Sequence, residues 1–365
     1  MTINTYNINM GALEARPRIL NGDSMDGEGE FGQVDGTRKV STSKYDFVKI
    51  RVWLGTQPQH YYVLSRYLIS RTLTVTKLPQ DKAIKIALQV KKWLVDNEKL
   101  DVTQDELEEV LFRTMRECGF AGDHVRLYRM MIRFQQSKRP LIIMVCGSAC
   151  SGKSTLAQAL ASRLNLPSVL QTDALRELLL GDGDDGYSFP FQPIWLRDDI
   201  SNDDELYNQF HEECRVMRRA LQGELSKCLV DGKSLIIEGL HLDPSLYSDL
   251  LSGAQSLSSV GRSSSCRVEG IHQLYGDPVF IPLVLSMDLE DYPILAEDWL
   301  SVRVPSCTYD KNKQQKVLQR LVKLQEYIVG ASEAEVVSVG ILNFEDTLDR
   351  LHDHILRCVE QNFTL

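Results

Sequence analysis

The segment GSACSGKS, at residues 147–154, contains residue types that bind the phosphates of a nucleotide. It matches the pattern G-x-x-x-x-G-K-[ST], with an apolar run before it and good helix formers after it. The two glycines allow a tight curl, so successive backbone N–H groups can point at one phosphate group. The pattern predicts a phosphate-binding loop (P-loop) in which the nucleotide contacts Gly147, Ser148, Ala149, Cys150, Ser151, Gly152, Lys153, Ser154 and Thr155.

Two side chains of this loop are expected to act on the nucleotide directly. Lys153 should bridge the β- and γ-phosphates of ATP, and Ser154 should bind Mg²⁺. Glu238 stands near the end of the apolar segment SLIIEG, where it could hold Mg²⁺ or orient the phosphoryl acceptor. The alternative is that Glu238 only accepts hydrogen bonds from nearby amides. Cys150 is expected to be a small filler rather than a nucleophile, because no base is paired with it.

The acceptor side is expected beyond the next strand, because ligands of parallel sheets lie at the carboxyl ends of the strands. The segment LQTDALREL follows that strand. There Asp173 could accept the proton of an attacking hydroxyl, and Arg176 could pair with an anionic acceptor. Alternatively, Thr172 or Asp173 only caps the helix that begins there.

Further basic residues could bind the acceptor. Arg197 precedes a long helix, and Arg215 and Arg218 lie on it. A planar guanidinium suits phosphate or carboxylate, although most arginines on a helix lie on a solvated face. Arg303 stands where a mobile lid could bring charge to the transferred phosphate, with an exposed surface role as the alternative. His241 follows the strand that carries Glu238 and could contact the acceptor, or be a hydrogen-bonded structural histidine.

Short apolar runs alternate with helical stretches from Pro140 onward, which indicates a parallel sheet flanked by helices. This α/β arrangement is that of a P-loop NTPase of the kinase type. The strands are expected at 141–147, 167–173, 234–241, 279–286 and 334–340. A helix capped by Ser201 should bury one face, made of Leu206, Phe210, Cys214, Met217, Leu221 and Leu225.

The chain divides into four predicted segments. Residues 1–42 are expected to be disordered, and residues 43–137 to form a small, mostly helical N-terminal domain that begins with a strand in KYDFVKIRVWL. Thr103 and Glu106 form a predicted capping box in that domain. Residues 138–365 are the predicted kinase domain, with a surface insertion at 252–277. The run GDGDDG does not match the register of a calcium loop and is interpreted as a flexible loop.

The composition argues against several kinds of partner. A net charge of -9 and a pI near 5.4 oppose a broad nucleic-acid interface. No apolar run is long enough to cross a bilayer, so no membrane interaction is expected. The 8 cysteines are scattered, which fits reduced thiols in the cytoplasm and indicates neither disulfides nor a structural metal.

Four segments in this order resemble the 2-phosphoglycerate kinase family, and especially its plant P-loop relatives linked to phytic-acid accumulation. They are IIMVCGSACSGKSTLA, VLQTDALRELL, SLIIEGLHLDPS and KLQEYIVGASEAEVVSVG. The resemblance implies ATP-dependent phosphorylation of the 3-hydroxyl of 2-phosphoglycerate to give 2,3-bisphosphoglycerate. It places the P-loop at the nucleotide and suggests Asp173, Arg176, Glu238 and His241 near the acceptor.

Two alternatives stay open at this point. The loop residues between Gly147 and Gly152 differ from those often seen in the microbial kinases, so an inositol-linked metabolite is a second candidate acceptor. A regulatory ATP-binding module, acting on a protein partner through the N-terminal domain, is the alternative to an enzyme. Acceptor-dependent release of ADP would distinguish the two.

Overall fold

The computed structural model describes residues 44–54, 60–181, 188–251, 278–288, 290–304, 310–330, 334–340 and 343–363. The predicted disordered segment 1–42, the predicted insertion 252–277 and most of the GDGDDG run lie outside these residues. The chain divides into two compact units, Met1–Asp46 and Phe47–Leu365. The second unit contains the whole predicted kinase domain and also the predicted N-terminal domain from Phe47 onward. The boundary proposed near residue 138 stays a prediction.

The N-terminal part combines four longer helices with a small mixed sheet. After a helical turn, α1 (Lys44–Phe47), β1 pairs antiparallel with β2 and parallel with β3, in the order β2-β1-β3. Its elements are β1 (Arg51–Leu54), β2 (His60–Val63), α2 (Arg66–Val75), α3 (Gln80–Asp96), β3 (Asp101–Thr103), α4 (Gln104–Glu117) and α5 (Asp123–Gln136).

Two sequence expectations for this part can be compared with the structure. The capping box is confirmed, because the Thr103 side chain accepts from the Glu106 N–H and the Glu106 carboxylate accepts from the Thr103 N–H. The prediction of a strand from residue 44 was wrong in its first half, because Lys44–Phe47 is helical and the strand begins at Arg51. The other two strands have three and four residues, too few for a reliable alternating pattern.

The C-terminal part is built on a five-stranded sheet in which every pair is parallel, in the order β5-β6-β4-β7-β8. The strands are β4 (Leu141–Gly147), β5 (Val169–Gln171), β6 (Leu235–Gly239), β7 (Val279–Met287) and β8 (Glu335–Val339). All five lie inside or within one residue of the predicted ranges. The predicted fold class, a parallel sheet flanked by helices, is therefore confirmed.

Helices connect and cover these strands. They are α6 (Lys153–Leu164), α7 (Thr172–Leu178), α8 (Asp203–Ala220), α9 (Gln222–Asp231), α10 (Ser248–Leu251), α11 (Tyr292–Arg303), α12 (Lys311–Gly330) and α13 (Phe344–Phe363), with a 3-10 turn at Pro244–Tyr247. Within the described parts of the chain, no helix is both long and apolar enough to cross a membrane.

The central strand β4 fixes the layers because it is buried along its whole length. Successive side chains of a strand point to opposite faces. Ile143 and Val145 accordingly join the hydrophobic core that contains α6 and α13, whereas Met144 and Cys146 join the core that contains α8. This burial on both faces explains why the strand is an uninterrupted apolar run rather than an alternating one.

The long helix before β6 begins one residue later than predicted. Asn202, not Ser201, is its N-cap, and the Asn202 Oδ1 accepts a hydrogen bond from the Glu205 N–H at 2.8 Å. The Ser201 N–H instead donates to the Glu205 carboxylate at 2.9 Å. The predicted helix is also two helices, because Leu221 separates α8 from α9. Its predicted apolar face is buried throughout.

Candidate functional site

The backbone between β4 and α6 curls as the P-loop pattern predicts. A Cβ atom on Gly147 would lie 2.9 Å from the Ser151 Oγ and 3.0 Å from the Leu285 carbonyl oxygen, so a side chain does not fit there. Gly152 precedes α6 with a φ of 78°, a left-handed conformation that glycine adopts at little cost. The loop therefore directs its N–H groups and the helix N-terminus toward one concave space that suits a phosphate.

Residues of helices α11 and α12 contact this loop through buried hydrogen-bonding groups. The buried Tyr292 hydroxyl lies 2.5 Å from the Ser148 Oγ and donates to the Ala149 carbonyl at 2.9 Å. The Ser148 Oγ also donates to the Leu321 carbonyl of α12 at 3.1 Å. These contacts hold the first half of the loop against the body of the protein.

Cys150 lies in the same loop with a φ of 64°, an unusual value for a residue other than glycine. Its thiol donates to the Leu295 carbonyl at 3.2 Å, and burial raises the pKa of this thiol. A thiol with a raised pKa forms little thiolate, so these observations agree with the expectation that Cys150 is a filler and not a nucleophile.

Lys153 and Glu238 lie on the nucleotide side of the site. The Lys153 Nζ donates to the Ser148 carbonyl at 2.6 Å. Burial lowers the pKa of Lys153, while the charges of Asp173 and Glu238 act in the opposite direction. Burial likewise raises the pKa of Glu238, and a hydrogen bond from Ser154 opposes that rise. The charge of Asp173 thus acts on the pKa values of both Lys153 and Glu238, which indicates that the three groups lie close together beside the P-loop.

The pair of Ser154 and Glu238 fits a magnesium ion. The Ser154 side chain acts to lower the pKa of the Glu238 carboxyl, and the buried Glu238 Oε2 has no hydrogen-bond partner among the residues that the structure describes. Mg²⁺ is commonly bound by one or two protein oxygens together with substrate phosphates and water. A hydroxyl beside a carboxylate with a spare oxygen provides such ligands.

Asp173 reaches this region because Gly239 lets α7 approach the end of β6. A Cβ atom on Gly239 would lie 1.7 Å from the Thr172 Oγ1, and the Gly239 φ is 155°. The exposed Asp173 accepts a long hydrogen bond, 3.5 Å, from the Leu240 N–H. The N-cap of α7 is Gln171 and makes no side-chain capping bond, so neither Thr172 nor Asp173 is the N-cap. The carboxylate of Asp173 therefore lies near Lys153 without being used to cap the helix.

A buried cluster of charged groups, which we call the acceptor cluster, lies next to Asp173. It consists of Arg176, Arg197, Glu213 and His241. The Glu213 Oε1 is 3.3 Å from the Arg197 Nη2, and the Glu213 Oε2 is 2.9 Å from the His241 Nε2. Burial lowers the pKa of Arg176, and the charges of Glu213 and Asp173 oppose this shift.

The polar atoms of the acceptor cluster are only partly satisfied. The Arg176 Nη2 donates to the Pro190 carbonyl at 2.6 Å, but its Nε has no hydrogen-bond partner within the described chain. The same holds for the Arg197 Nε and the His241 Nδ1. Buried polar groups are nearly always hydrogen-bonded, so unsatisfied nitrogens on three neighbouring side chains indicate a place for an anionic ligand or water.

For three arginines predicted to act at this site, the structure describes no contact with the acceptor cluster. Arg215 is exposed and pairs with Glu212 at 2.8 Å. Arg218 lies over the Tyr247 ring and donates to the Leu246 carbonyl at 3.3 Å. Arg303 is the last residue of α11, and its side chain lies outside the described part of the structure. Their roles toward an acceptor stay predictions.

Sequence reasoning missed three residues that shape the site. Glu213 lies on the same helix as Arg215 and Arg218, yet it is buried. Arg320 of α12 donates to the carbonyls of Arg197 and Ile200, at 2.5 and 2.7 Å, and so holds the segment that carries Arg197. Tyr292 was not considered. The spacing of Glu213 was the one available signal, because it lies three residues after Phe210 and four before Met217 and so shares their buried face of α8.

Comparison with known proteins agrees with this geometry. A family model described as an AAA domain matches residues 142–263. A 2-phosphoglycerate kinase of Pyrococcus horikoshii is 29% identical over 300 residues, which cover 80% of this chain and 89% of the relative. Another, from Methanocaldococcus jannaschii, is 29% identical over 191 residues, which cover 51% of this chain and 60% of the relative.

The chain is a P-loop kinase. Its resemblance to the 2-phosphoglycerate kinases is confirmed, whereas the comparisons show no link to phytic-acid accumulation. A solved shikimate kinase of Bacteroides thetaiotaomicron is 16% identical over 59% of this chain and 98% of its own, with a TM-score of 0.31, too low to support an argument. Several matched relatives are covered over about three fifths of their length, for example 60% and 61%.

Proposed function

We propose that this P-loop kinase transfers the γ-phosphoryl group of ATP to the 3-hydroxyl of 2-phosphoglycerate, giving 2,3-bisphosphoglycerate. The observation that carries the proposal is the position of the acceptor cluster beside the P-loop, at the same edge of the sheet. Asp173 links the two, because its charge acts on both Lys153 and Arg176. The names of the similar archaeal proteins support the identity of the acceptor.

On the nucleotide side, the chain supplies positioning and charge. The loop N–H groups and Lys153 would hold the β- and γ-phosphates, while Ser154 and Glu238 would hold Mg²⁺. When bound, Mg²⁺ neutralises the charge that develops on the transferred phosphate. The Lys153 ammonium has three N–H donors, so those not bonded to the Ser148 carbonyl can contact a phosphate.

On the acceptor side, Asp173 is the proposed general base. It is an exposed carboxylate whose charge acts on Lys153, so it can take the proton of the attacking hydroxyl as the new P–O bond forms and the bond from the γ-phosphorus to the leaving ADP breaks. Arg176 and Arg197 would bind the phosphate and carboxylate of 2-phosphoglycerate, since guanidinium groups suit both anions. His241 would add a third contact. We propose that the reaction takes place in the cytoplasm.

Two other functions make different predictions. An inositol-linked acceptor would also use the arginines, but would give ADP release with inositol phosphates and none with 2-phosphoglycerate. A regulatory ATP-binding module would bind MgATP and change the affinity of a protein partner, with no acceptor-dependent release of ADP.

The decisive experiment is a coupled assay of ADP release with 2-phosphoglycerate, with inositol phosphates and without acceptor. We expect release only with 2-phosphoglycerate. Lys153→Ala should abolish turnover and keep the fold, because it removes the charge at the transferred phosphate. Lys227→Ala is the matched control, since this lysine is exposed and pairs with Glu224 at 3.8 Å.

Two results would reject the proposal. One is equal ADP release with and without 2-phosphoglycerate in the unmodified protein. The other is unchanged turnover in a folded Lys153→Ala variant, which would mean that the loop does not take part in phosphoryl transfer.

A further inference from the structure

Glu213 is the one buried carboxylate of the acceptor cluster, and the proposed reaction gives it no role. It lies on α8 and is almost fully buried. Its two oxygens face Arg197 and His241, at 3.3 and 2.9 Å, without well-aligned hydrogen bonds. These are two of the groups that are expected to bind the acceptor. A carboxylate thus lies where an anionic ligand would lie.

His241 and Arg197, the two groups that face Glu213, also contact other residues. The His241 ring contacts two aromatic rings, with centroids 5.4 Å from Phe189 and 6.2 Å from Phe210. The Arg197 side chain is held by a hydrogen bond to Gln209, one helical turn before Glu213. Both donors therefore have contacts with neighbours other than Glu213.

The charges within the cluster set how much anion it can accept. Arg176 and Arg197 supply two positive charges, Glu213 supplies one negative charge within the cluster, and Asp173 adds another beside it. A carboxylate a few ångströms from a bound phosphate repels it strongly in a partly buried site, where screening is weak. The remaining charge suits one phosphate-sized anion and opposes a polyphosphate.

We propose that Glu213 is a specificity-determining residue that competes with the acceptor for Arg197 and restricts the site to acceptors with a single phosphate group. The inference rests on the proposed function, because it assumes that the acceptor binds at this cluster. It also makes an inositol polyphosphate the less suitable acceptor.

The competing explanation is that Glu213 only holds Arg197 and His241 in place. The two roles predict opposite effects of Glu213→Gln, which keeps the shape of the side chain and removes its charge. If Glu213 competes with the acceptor, the variant binds anions more tightly. If Glu213 orients the donors, the variant binds them more weakly.

The test is calorimetry of inorganic phosphate binding to the full chain, with the P-loop saturated by a non-hydrolysable magnesium ATP analogue. Pyrophosphate is titrated in parallel. We expect Glu213→Gln to lower the dissociation constant of phosphate about tenfold and that of pyrophosphate further, because a repulsive charge is removed at close range. Glu213→Asp, which keeps the charge, should stay close to the unmodified protein.

Two further variants complete the design. Glu212→Gln is the matched control, since its neighbouring carboxylate is exposed and pairs with Arg215, and it should change neither constant. Gln209→Glu adds a second carboxylate beside Arg197 and should weaken phosphate binding about tenfold. If Glu213→Gln does not fold, this variant still tests the premise that a carboxylate beside Arg197 opposes a bound anion.

Unchanged or weaker phosphate binding in a folded Glu213→Gln variant would overturn the inference, as would unchanged binding in Gln209→Glu. Failure of the proposed function has a different signature. The unmodified protein would then release no ADP with 2-phosphoglycerate, whereas the calorimetric comparison of variants needs no turnover.

Discussion

The contact between Tyr292 and the P-loop gives a prediction that joins stability to nucleotide binding. Replacement of Tyr292 by Phe removes one hydroxyl and keeps the ring that packs in the core. The hydroxyl is buried and contacts the Ser148 Oγ at 2.5 Å and the Ala149 carbonyl at 2.9 Å. Both partners belong to the P-loop, which we propose holds the phosphates of ATP.

The size of the effect follows from what is left unpaired. The Ser148 hydroxyl keeps the Leu321 carbonyl as a partner, whereas the Ala149 carbonyl loses the donor that Tyr292 provides. A buried acceptor without its donor costs about 1–3 kcal/mol, so we expect Tyr292→Phe to lower the free energy of unfolding by about 2 kcal/mol. The loop must also be reordered when ATP binds, because the Cys150 φ of 64° is no longer supported from this side. We therefore expect the dissociation constant of MgATP to rise by up to about tenfold.

Denaturant unfolding and calorimetry of MgATP binding measure these two effects. Tyr247→Phe is a matched control, because Tyr247 is also fully buried but its hydroxyl has no hydrogen-bond partner within the described residues. Removal of that hydroxyl should cost no stability and leave MgATP binding unchanged. The reasoning is refuted if Tyr292→Phe behaves like the unmodified protein, or if Tyr247→Phe loses as much stability.

Three other predictions concern groups around the site and at the junction with the N-terminal helices. Burial lowers the pKa of His352 to about 4, so from pH 6.5 down to 4 the unfolded chain binds a proton that the folded chain does not. Stability should fall by about 3 kcal/mol as the pH falls through this range, and His352→Gln should remove that part of the pH dependence. Arg320→Ala should raise the KM for the acceptor about tenfold and leave that for ATP unchanged, because it releases the segment of Arg197. Gly239→Ala should cost about 1–3 kcal/mol of stability and lower kcat, because its methyl group overlaps Thr172.

Each of these predictions can be contradicted by a simple result. Unfolding curves at pH 7 and pH 4.5 would contradict the first if His352→Gln kept the full pH dependence. The control for the second is Lys323→Ala on the same helix. Lys323 forms an exposed ion pair with Asp203 at 2.6 Å, so its loss should leave the KM for both substrates unchanged. An Arg320→Ala enzyme with equal losses toward both substrates would point to general disorder instead. A Gly239→Ala enzyme with normal kcat would show that α7 can move without affecting transfer.

The sequence alone determined the nucleotide side of this protein. The P-loop is a contiguous pattern in which each residue type has a local reason, and its context of strand and helix is also local. The five strands were found for the same reason, since buried parallel strands are short apolar runs between turns. The capping box at Thr103 could be predicted because both of its members lie within one helical turn.

Only the tertiary structure determined which residues form the cluster that is proposed to bind the acceptor. Arg197 and Glu213 are 16 residues apart, and His241 is a further 28 residues along the chain, yet α8 and the end of β6 bring all three together. A carboxylate beside an arginine on a helix looks the same in the sequence whether it is solvated or buried. Tyr292 and Arg320 act on residues more than 100 positions away, at distances that only the packing of α11 and α12 on the sheet can set. Local patterns reveal which groups are bonded to neighbours in the chain, and packing alone determines which distant charges share one buried space.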